Sequence, residues 1–542
     1  MYVAVMLKDI TDIIKDTGIT DYELYGRYAA KLGISNAVPG KKRGKIILMT
    51  AMTPTPAGEG KTTTAIGLAQ ALKHLGKSVG IAIREPSLGP CFGVKGGATG
   101  GGKSTVEPSD KINLIFTGDF PAISAAHNLL SAMINNHIYF GNESGIDPKK
   151  ISFPRTVDMD DRSLRSIIVG NGPKSNGVLA NDSFVITAAS EIMAIMALSK
   201  GYDDLKERLG NIIIGYTAKN RPVFARDIKA EGAMAALLAD ALKPNMVQSA
   251  ENVPAIIHTG PFGNIAHGTS SILGDYAAMN LFDYTVTEAG FGSDLGFEKF
   301  MDIVTREAGI NVDAVVIVAT IRAMKHHGGA KNIDVENIPA MVTGIQNLFR
   351  HVENVRNFGI DPVIALNVHP LDTNNEIEKV SEMLENKHIK FAISRVYSDG
   401  GAGGIDLANA VLDSINTSRI KYAYLLDDPV KTKIEKIATK VYGAEGVDFS
   451  KEALLDIKHA EENGFGGFYI CMAKTQASIS DNPGLLNSPG NFRVKVNSVM
   501  VNGGSRFIIP VLGSIMTMPG LPKHPAAENI DIDSEGRVTG LS

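Results

Sequence analysis

After residue 44 the chain alternates short runs of β-branched and other apolar residues with amphipathic stretches, and Gly, Pro or Thr punctuates the ends of the runs. Runs that are apolar at nearly every position suit strands buried on both faces, so the alternation predicts a mostly parallel sheet covered by helices. The predicted strands are KIILMT (45–50), SVGIAI (78–83), NIIIGYT (211–217), PAIIHTG (254–260), YTVTEA (284–289) and AVVIVAT (314–320). Their spacing favours one large doubly wound α/β domain over residues 1–350, with ligands expected at the carboxyl ends of the strands. PVIALNVHP (362–370) and KFAISRVYSDGGAGG (390–404) open a second α/β unit over 351–450. YICMAK, RVKVNSVMVNGG and RFIIPVLG then predict a mixed or β-rich layer over 451–542. No Pro/Gly/Ser-rich linker, charge block or internal repeat marks the later boundaries.

Composition narrows the partners. The 542 residues carry 54 basic and 58 acidic side chains, a formal charge of -4 that argues against nucleic acid as the main partner. The two cysteines, Cys91 and Cys471, suggest a reducing compartment and read as structural thiols. The N-terminal apolar start is interrupted by Lys8, Asp9 and Asp12, which breaks a signal pattern, and no run approaches the ~18 apolar residues of a membrane helix. A cytoplasmic protein is expected. The 56 glycines are an excess, and tryptophan is absent.

Many of the glycines sit where chemistry is expected. In TPTPAGEGKTTTAIGLAQALKHLGKSVGIAI a strand enters a glycine-rich turn and leaves it as a helix beginning near Lys61 and Thr62. Backbone N–H groups of such a turn, with the positive end of the helix dipole, form a cradle for phosphates. The candidate nucleotide-binding residues are Thr55, Pro56, Ala57, Gly58, Glu59, Gly60, Lys61, Thr62 and Thr63, with Lys61 reaching the β/γ-phosphates and the Thr62 hydroxyl on Mg²⁺. Thr55 stands where a strict G-x-x-x-x-G-K-[ST] motif has its first glycine.

The next strand ends at Arg84 and Glu85, a guanidinium fork for an anion and a carboxylate for a cation. The run 93–102 holds six glycines and Lys95, and can approach a ligand closely or act as a lid. Asp119 follows in GDF, and His127 reads as a satisfied histidine of the next helix. By layout alone the chain also fits a regulatory P-loop ATPase of the dimerising, partitioning type. Those proteins carry a signature lysine at the start of the loop and an Asp-rich second strand end, where this chain has Pro56 or Ala57 and Arg84–Glu85. A non-enzymatic store of nucleotide or of another small ligand is a further alternative.

With these segments in view, the chain resembles the formate–tetrahydrofolate ligases from end to end. ELYGRYAAKLG, REPSLGPCFGVKGGA, VTEAGFGSDLGFEKF, VIVATIRAMKHHGG, CMAKTQASIS and IMTMPGLPKHPAAENIDID carry the resemblance. It implies ATP-dependent joining of formate to tetrahydrofolate through formyl phosphate, giving 10-formyltetrahydrofolate, ADP and phosphate. It also implies a three-domain subunit of a homotetramer, Mg²⁺, and activation by ammonium or potassium. By the same resemblance Lys61 and Arg84 hold the transferring phosphoryl group and formate, Glu85 belongs with the monovalent cation, and Asp119 lies near the pterin and its amine.

Phe291 matches a family position beside the cleft. The family's pterin sandwich of Phe and Trp falls on His369, followed by Pro370, and on Tyr397, so both rings are smaller here. Pro121 stands where the family commonly has histidine, which puts a histidine-based proton transfer at that loop in doubt.

Overall fold

The computed structural model describes residues 7–40, 44–56, 58–95, 97–415, 420–513 and 516–541. Its centre is a mixed sheet, twelve-stranded among the described residues, whose strands are mostly parallel. Across the sheet run Tyr22–Leu24, Ala30–Leu32, Asn245–Ser249, Pro254–Ile257, Val79–Ile83, Tyr284–Gly292, Lys45–Ala51, Ala314–Ala319, Val363–Asn367 and Phe391–Ser394. From Pro254–Ile257 onward every neighbour pair is parallel; the strands before it pair antiparallel. The expected α/β fold with a doubly wound, mostly parallel sheet is therefore present.

The parallel strands are apolar at nearly every position because both faces are covered. Ile47, Met49 and Ala51 face one core, shared with Ala65, Ile66, Leu68 and Leu72 of the helix Lys61–His74. Ile46 and Leu48 face the opposite core, shared with Ile321 and Met324 of Ile321–His327 and Ile345 and Leu348 of Ile338–Asn357. The helices that follow the neighbouring strands Lys45–Ala51 and Ala314–Ala319 thus lie on opposite faces. That reversal opens a crevice at the carboxyl edge, where ligands bind in doubly wound sheets.

Two details differ from the sequence pattern. The segment 211–217 forms the strand Ile213–Thr217, but it pairs antiparallel with Pro222–Phe224 and Ile146–Ile151 in a separate small sheet. An apolar run reports burial, not the sheet in which the strand is buried. The boundary expected at 350 falls inside Ile338–Asn357, and the strands Val363–Asn367 and Phe391–Ser394 continue the main sheet. Beyond residue 450 lie the helix Lys451–Glu462 and a three-stranded sheet of Tyr469–Ile470, Phe507–Val511 and Ser498–Asn502. No helix among the described residues is long and apolar enough to cross a membrane.

The turn that carries His369 is held by capping chemistry. Thr373 and Glu376 form a reciprocal capping box at the start of Asn374–Asn386, and the Asp372 carboxylate accepts the His369 N–H at 2.7 Å. Glu376 also pairs with Lys325 at 3.1 Å, both side chains fully buried. Removing one partner of such a pair strands the other charge, at a cost of about 3–5 kcal/mol. Glu376→Ala is expected to lower the thermal unfolding midpoint, and Lys325→Met/Glu376→Leu to recover most of the loss in the same assay.

Candidate functional site

The candidate residues converge on the carboxyl edge of the sheet. Gly58 and Gly60 take positive φ of 74° and 68°, and Gly60 in the left-handed region caps the helix Lys61–His74. Glu59 is turned into the body of the protein. Its carboxylate accepts the Thr55 N–H at 2.8 Å and the Thr55 hydroxyl at 3.0 Å, and on its other oxygen the hydroxyl of Thr320, the residue capping Ile321–His327. Burial pushes the Glu59 carboxyl up, and these bonds oppose the rise. Glu59 therefore ties the loop across the crevice, while Pro56 is exposed and Ala57 lies outside the described residues.

The first turn of the helix meets the strand Tyr284–Gly292. Lys61 Nζ donates to the Ala289 carbonyl, and the Thr62 hydroxyl contacts both carboxylate oxygens of Glu288, at 3.0 and 3.2 Å. Glu288 is not among the residues that the sequence marks. The only available signal was a carboxylate at the end of an apolar strand, and its meaning depends on Tyr284–Gly292 pairing beside Lys45–Ala51. The ladder slips between Glu288 and Gly292, and Phe291 there takes φ of 59°, a conformation that places strain on a bulky residue.

Arg84 leaves the neighbouring strand Val79–Ile83 and lays its guanidinium over Gly290. A Cβ on Gly290 would meet Nη1 at 2.9 Å and Nη2 at 3.0 Å, so a larger residue there would push the guanidinium aside. Nε and Nη2 are buried without a hydrogen-bond partner. Burial disfavours the charge, which Glu288 favours. Two unsatisfied N–H positions on a buried fork are a receptor for a planar or tetrahedral oxyanion.

Glu85 turns to the other side. Its carboxyl is buried beside the Asp119 carboxylate, and burial together with that neighbouring charge pushes it well above the usual range. Asp119 opens the helix Asp119–Tyr139, pairs with buried Lys31 at 2.7 Å and accepts from Asn245 Nδ2 at 2.7 Å. Lys31 is likewise unmarked, because nothing in YAAKLG shows that its ammonium is buried.

His369 and Tyr397 lie just beyond the paired strand ends Asn367 and Ser394. Asn367 Nδ2 also donates to the Glu59 carbonyl at 3.1 Å, joining this turn to the glycine loop. Tyr397 is 58% exposed, His369 half-buried and Pro370 exposed. The end of the glycine run packs on Tyr397: Lys103 N–H donates to its carbonyl at 2.9 Å, and a Cβ on Gly101 would meet its ring at 3.1 Å. Gly96 and the Lys95 side chain lie outside the description.

His127 is a structural histidine, stacked on Phe153 and hydrogen-bonded to Ser190 Oγ at 2.7 Å and the Pro154 carbonyl at 2.8 Å. A cavity of about 880 Å³ lined in part by His127, Tyr216, Asp456 and Phe465 contains none of the candidate nucleotide, formate or folate residues.

The doubly wound sheet, the glycine-capped helix at its carboxyl edge and the buried guanidinium beside it define an α/β protein equipped to receive anions. Comparison with known proteins agrees and is more specific. The family model described as "Formate--tetrahydrofolate ligase" matches residues 2–542. Proteins of that name from Thermoplasma volcanium and Picrophilus torridus are 64% and 62% identical over 537 residues, covering 99% of this chain and all of theirs. One from Staphylococcus aureus strain JH9 is 50% identical over 540 residues, covering 99% of this chain and 97% of its own. The chain belongs to the formate–tetrahydrofolate ligase family, and is a ligase.

Two outcomes test this geometry. Gly290→Ala should displace the Arg84 guanidinium and weaken formate binding by calorimetry at least about tenfold, the size of one charged hydrogen bond. For His127, burial lowers the imidazole to about 4 from 6.5, so the unfolded chain protonates first as pH falls through this window. Its contribution to stability is thus present above pH 6.5 and lost toward pH 4, by at most about 3 kcal/mol. His127→Gln should make the fall of the unfolding free energy across that window shallower by at most one proton's worth, the other buried histidines keeping the rest.

Proposed function

We propose that this chain joins formate to tetrahydrofolate at the expense of ATP, through formyl phosphate. The observation that carries the reading is the Arg84 fork, with two buried unpartnered nitrogens, at the same sheet edge as Lys61 and Thr62. The full-length family match supports it.

Formate alone resists attack because an oxide would have to leave. In the first step a formate oxygen attacks the γ-phosphorus and the bond to ADP breaks. In the second, the N10 amine of tetrahydrofolate attacks the formyl carbon, phosphate leaves with the bonding pair, and the amine loses its proton. Positioning and charge neutralisation supply most of the catalysis in such transfers.

Arg84 holds the formate carboxylate and then the acyl phosphate. Lys61 exchanges the Ala289 carbonyl for a phosphate oxygen, joined by backbone N–H groups of residues 59–62, the Gly58 N–H being held by the Thr55 carbonyl. The pairing of Thr62 with Glu288 fits Mg²⁺, a hard cation that takes a hydroxyl and a carboxylate oxygen beside nucleotide phosphates. Glu85, whose carboxyl is pushed up by burial and by Asp119, would hold a monovalent cation such as ammonium or potassium once ionised, a state the cation's own charge favours. Asp119, fixed by Lys31 and Asn245, keeps lone pairs that can accept the amine proton directly or through water. Phe291, His369, Pro370 and Tyr397 provide the pterin platform, with rings that stack on a heteroaromatic face. Assembly as a homotetramer belongs to the same reading and is checked by the solution mass against the 57.7 kDa chain.

ADP release should require both formate and tetrahydrofolate; ATP turnover indifferent to either would sink this reading in favour of a plain ATPase. Arg84→Ala should abolish formyl transfer while ATP binding by calorimetry persists. Tyr397→Ala should raise the KM for tetrahydrofolate more than that for ATP.

A further inference from the structure

Thr53, just past the strand Lys45–Ala51, is held at every polar atom by side chains from two helices. Asn347 Oδ1 accepts its N–H at 3.1 Å, and His327 Nε2 lies 2.9 Å from its carbonyl. Its hydroxyl is 2.9 Å from Asn347 Nδ2 and 2.9 Å from His351 Nε2. The other nitrogen of His351, Nδ1, is 2.7 Å from the hydroxyl of Ser293, which also lies 3.3 Å from Asn354 Nδ2. Thr53, Ser293, Asn347, His351 and Asn354 are fully buried.

One arrangement gives both hydroxyl hydrogens an acceptor. Thr53 donates to Nε2, Nδ1–H donates to Ser293, and Ser293 donates to the His351 carbonyl, 3.4 Å away. The ring is neutral in this arrangement, and burial favours that state by lowering its pKa to about 4.

The two anchors are the roots of the two walls of the candidate site. Thr53 lies two residues before Thr55, which is bonded to Glu59 in the glycine loop. Ser293 lies two residues after Phe291 and directly after the slip that carries Ala289 and Gly290. The ring fills the space between: a Cβ on Gly292 would lie 2.9 Å from His351 Cε1.

We propose that His351 is a positioning residue, fixing the spacing between the loop that holds the phosphates and the Gly290–Phe291 turn that backs Arg84. It touches no substrate. The inference rests on the proposed reaction for its kinetic consequence, because in-line transfer from a phosphate on one wall to formate on the other depends on that spacing. A misplacement of about 1 Å there costs on the order of a hundredfold in rate.

The test uses Thr53→Val and Ser293→Ala, which remove the two anchors, with Thr53→Ser as the conservative variant. With either anchor gone, kcat should fall at least about tenfold while KM for ATP stays within about threefold, and Thr53→Ser should restore kcat to near the parent value.

Hydrogen exchange supplies a readout independent of turnover. Ser293→Ala should accelerate exchange at the hydrogen-bonded amides of Thr55, Gly58 and Thr64, and Thr53→Val at those of 290–292, in each case across the crevice from the substitution. Acceleration confined to the substituted side overturns the proposal, as does a kcat in both anchor variants equal to the parent's. If either variant fails to fold, His351→Gln is measured in its place with the same expected changes on both walls. A parent without formate- and tetrahydrofolate-dependent turnover would refute the proposed reaction, while the exchange result would still decide the role of His351.

Discussion

The parallel ladder between Tyr284–Gly292 and Lys45–Ala51 runs in register from Tyr284 opposite Lys45 to Glu288 opposite Met49, and then slips before Gly292 meets Ala51. The functional edge is organised around that slip. Because the strands are held by backbone bonds along their length, the residues just past them have little freedom. Glu288 is delivered to Thr62, the Ala289 carbonyl to Lys61, and Gly290 to the face of Arg84. Phe291 takes left-handed backbone at the same place, a local strain that the surrounding sheet and the buried Ser293 anchor sustain.

The charges at this edge are kept in a costly state. A buried polar group without a partner costs about 1–3 kcal/mol, and more when charged. Arg84 Nε and Nη2 carry that cost. Nearby structural groups are completed instead: Glu59 by Thr55 and Thr320, and Thr53 by Asn347, His327 and His351. Arg84 at the sheet edge keeps buried N–H groups unmet, whereas Glu59 and Thr53 beside it are bonded at their polar side-chain atoms.

Much of the fold was legible because buried strands are apolar on both faces and strand ends are punctuated. The segments 45–50, 78–83, 284–289 and 314–320 form strands of the main sheet close to their expected limits. The segment 211–217 forms a strand in a small antiparallel sheet, since hydrophobicity does not name a strand's neighbour. The glycine loop was legible because its turn geometry and its helix start are local. Glu288, Lys31 and Thr53 were not, because each acts through a partner more than 80 residues away in the chain.

The amino-acid order by itself therefore determined the alternation of strand and helix, the glycine-capped helix start and the family's motifs. All of these follow from local backbone preference and from side chains close together in the chain. The tertiary structure decided which strands are neighbours, and with that which carboxylate faces Thr62, which glycine lies under Arg84 and which histidine joins the two walls. Those outcomes depend on pairing distant segments in one register, and a shift of one residue would turn each side chain to the opposite face of the sheet.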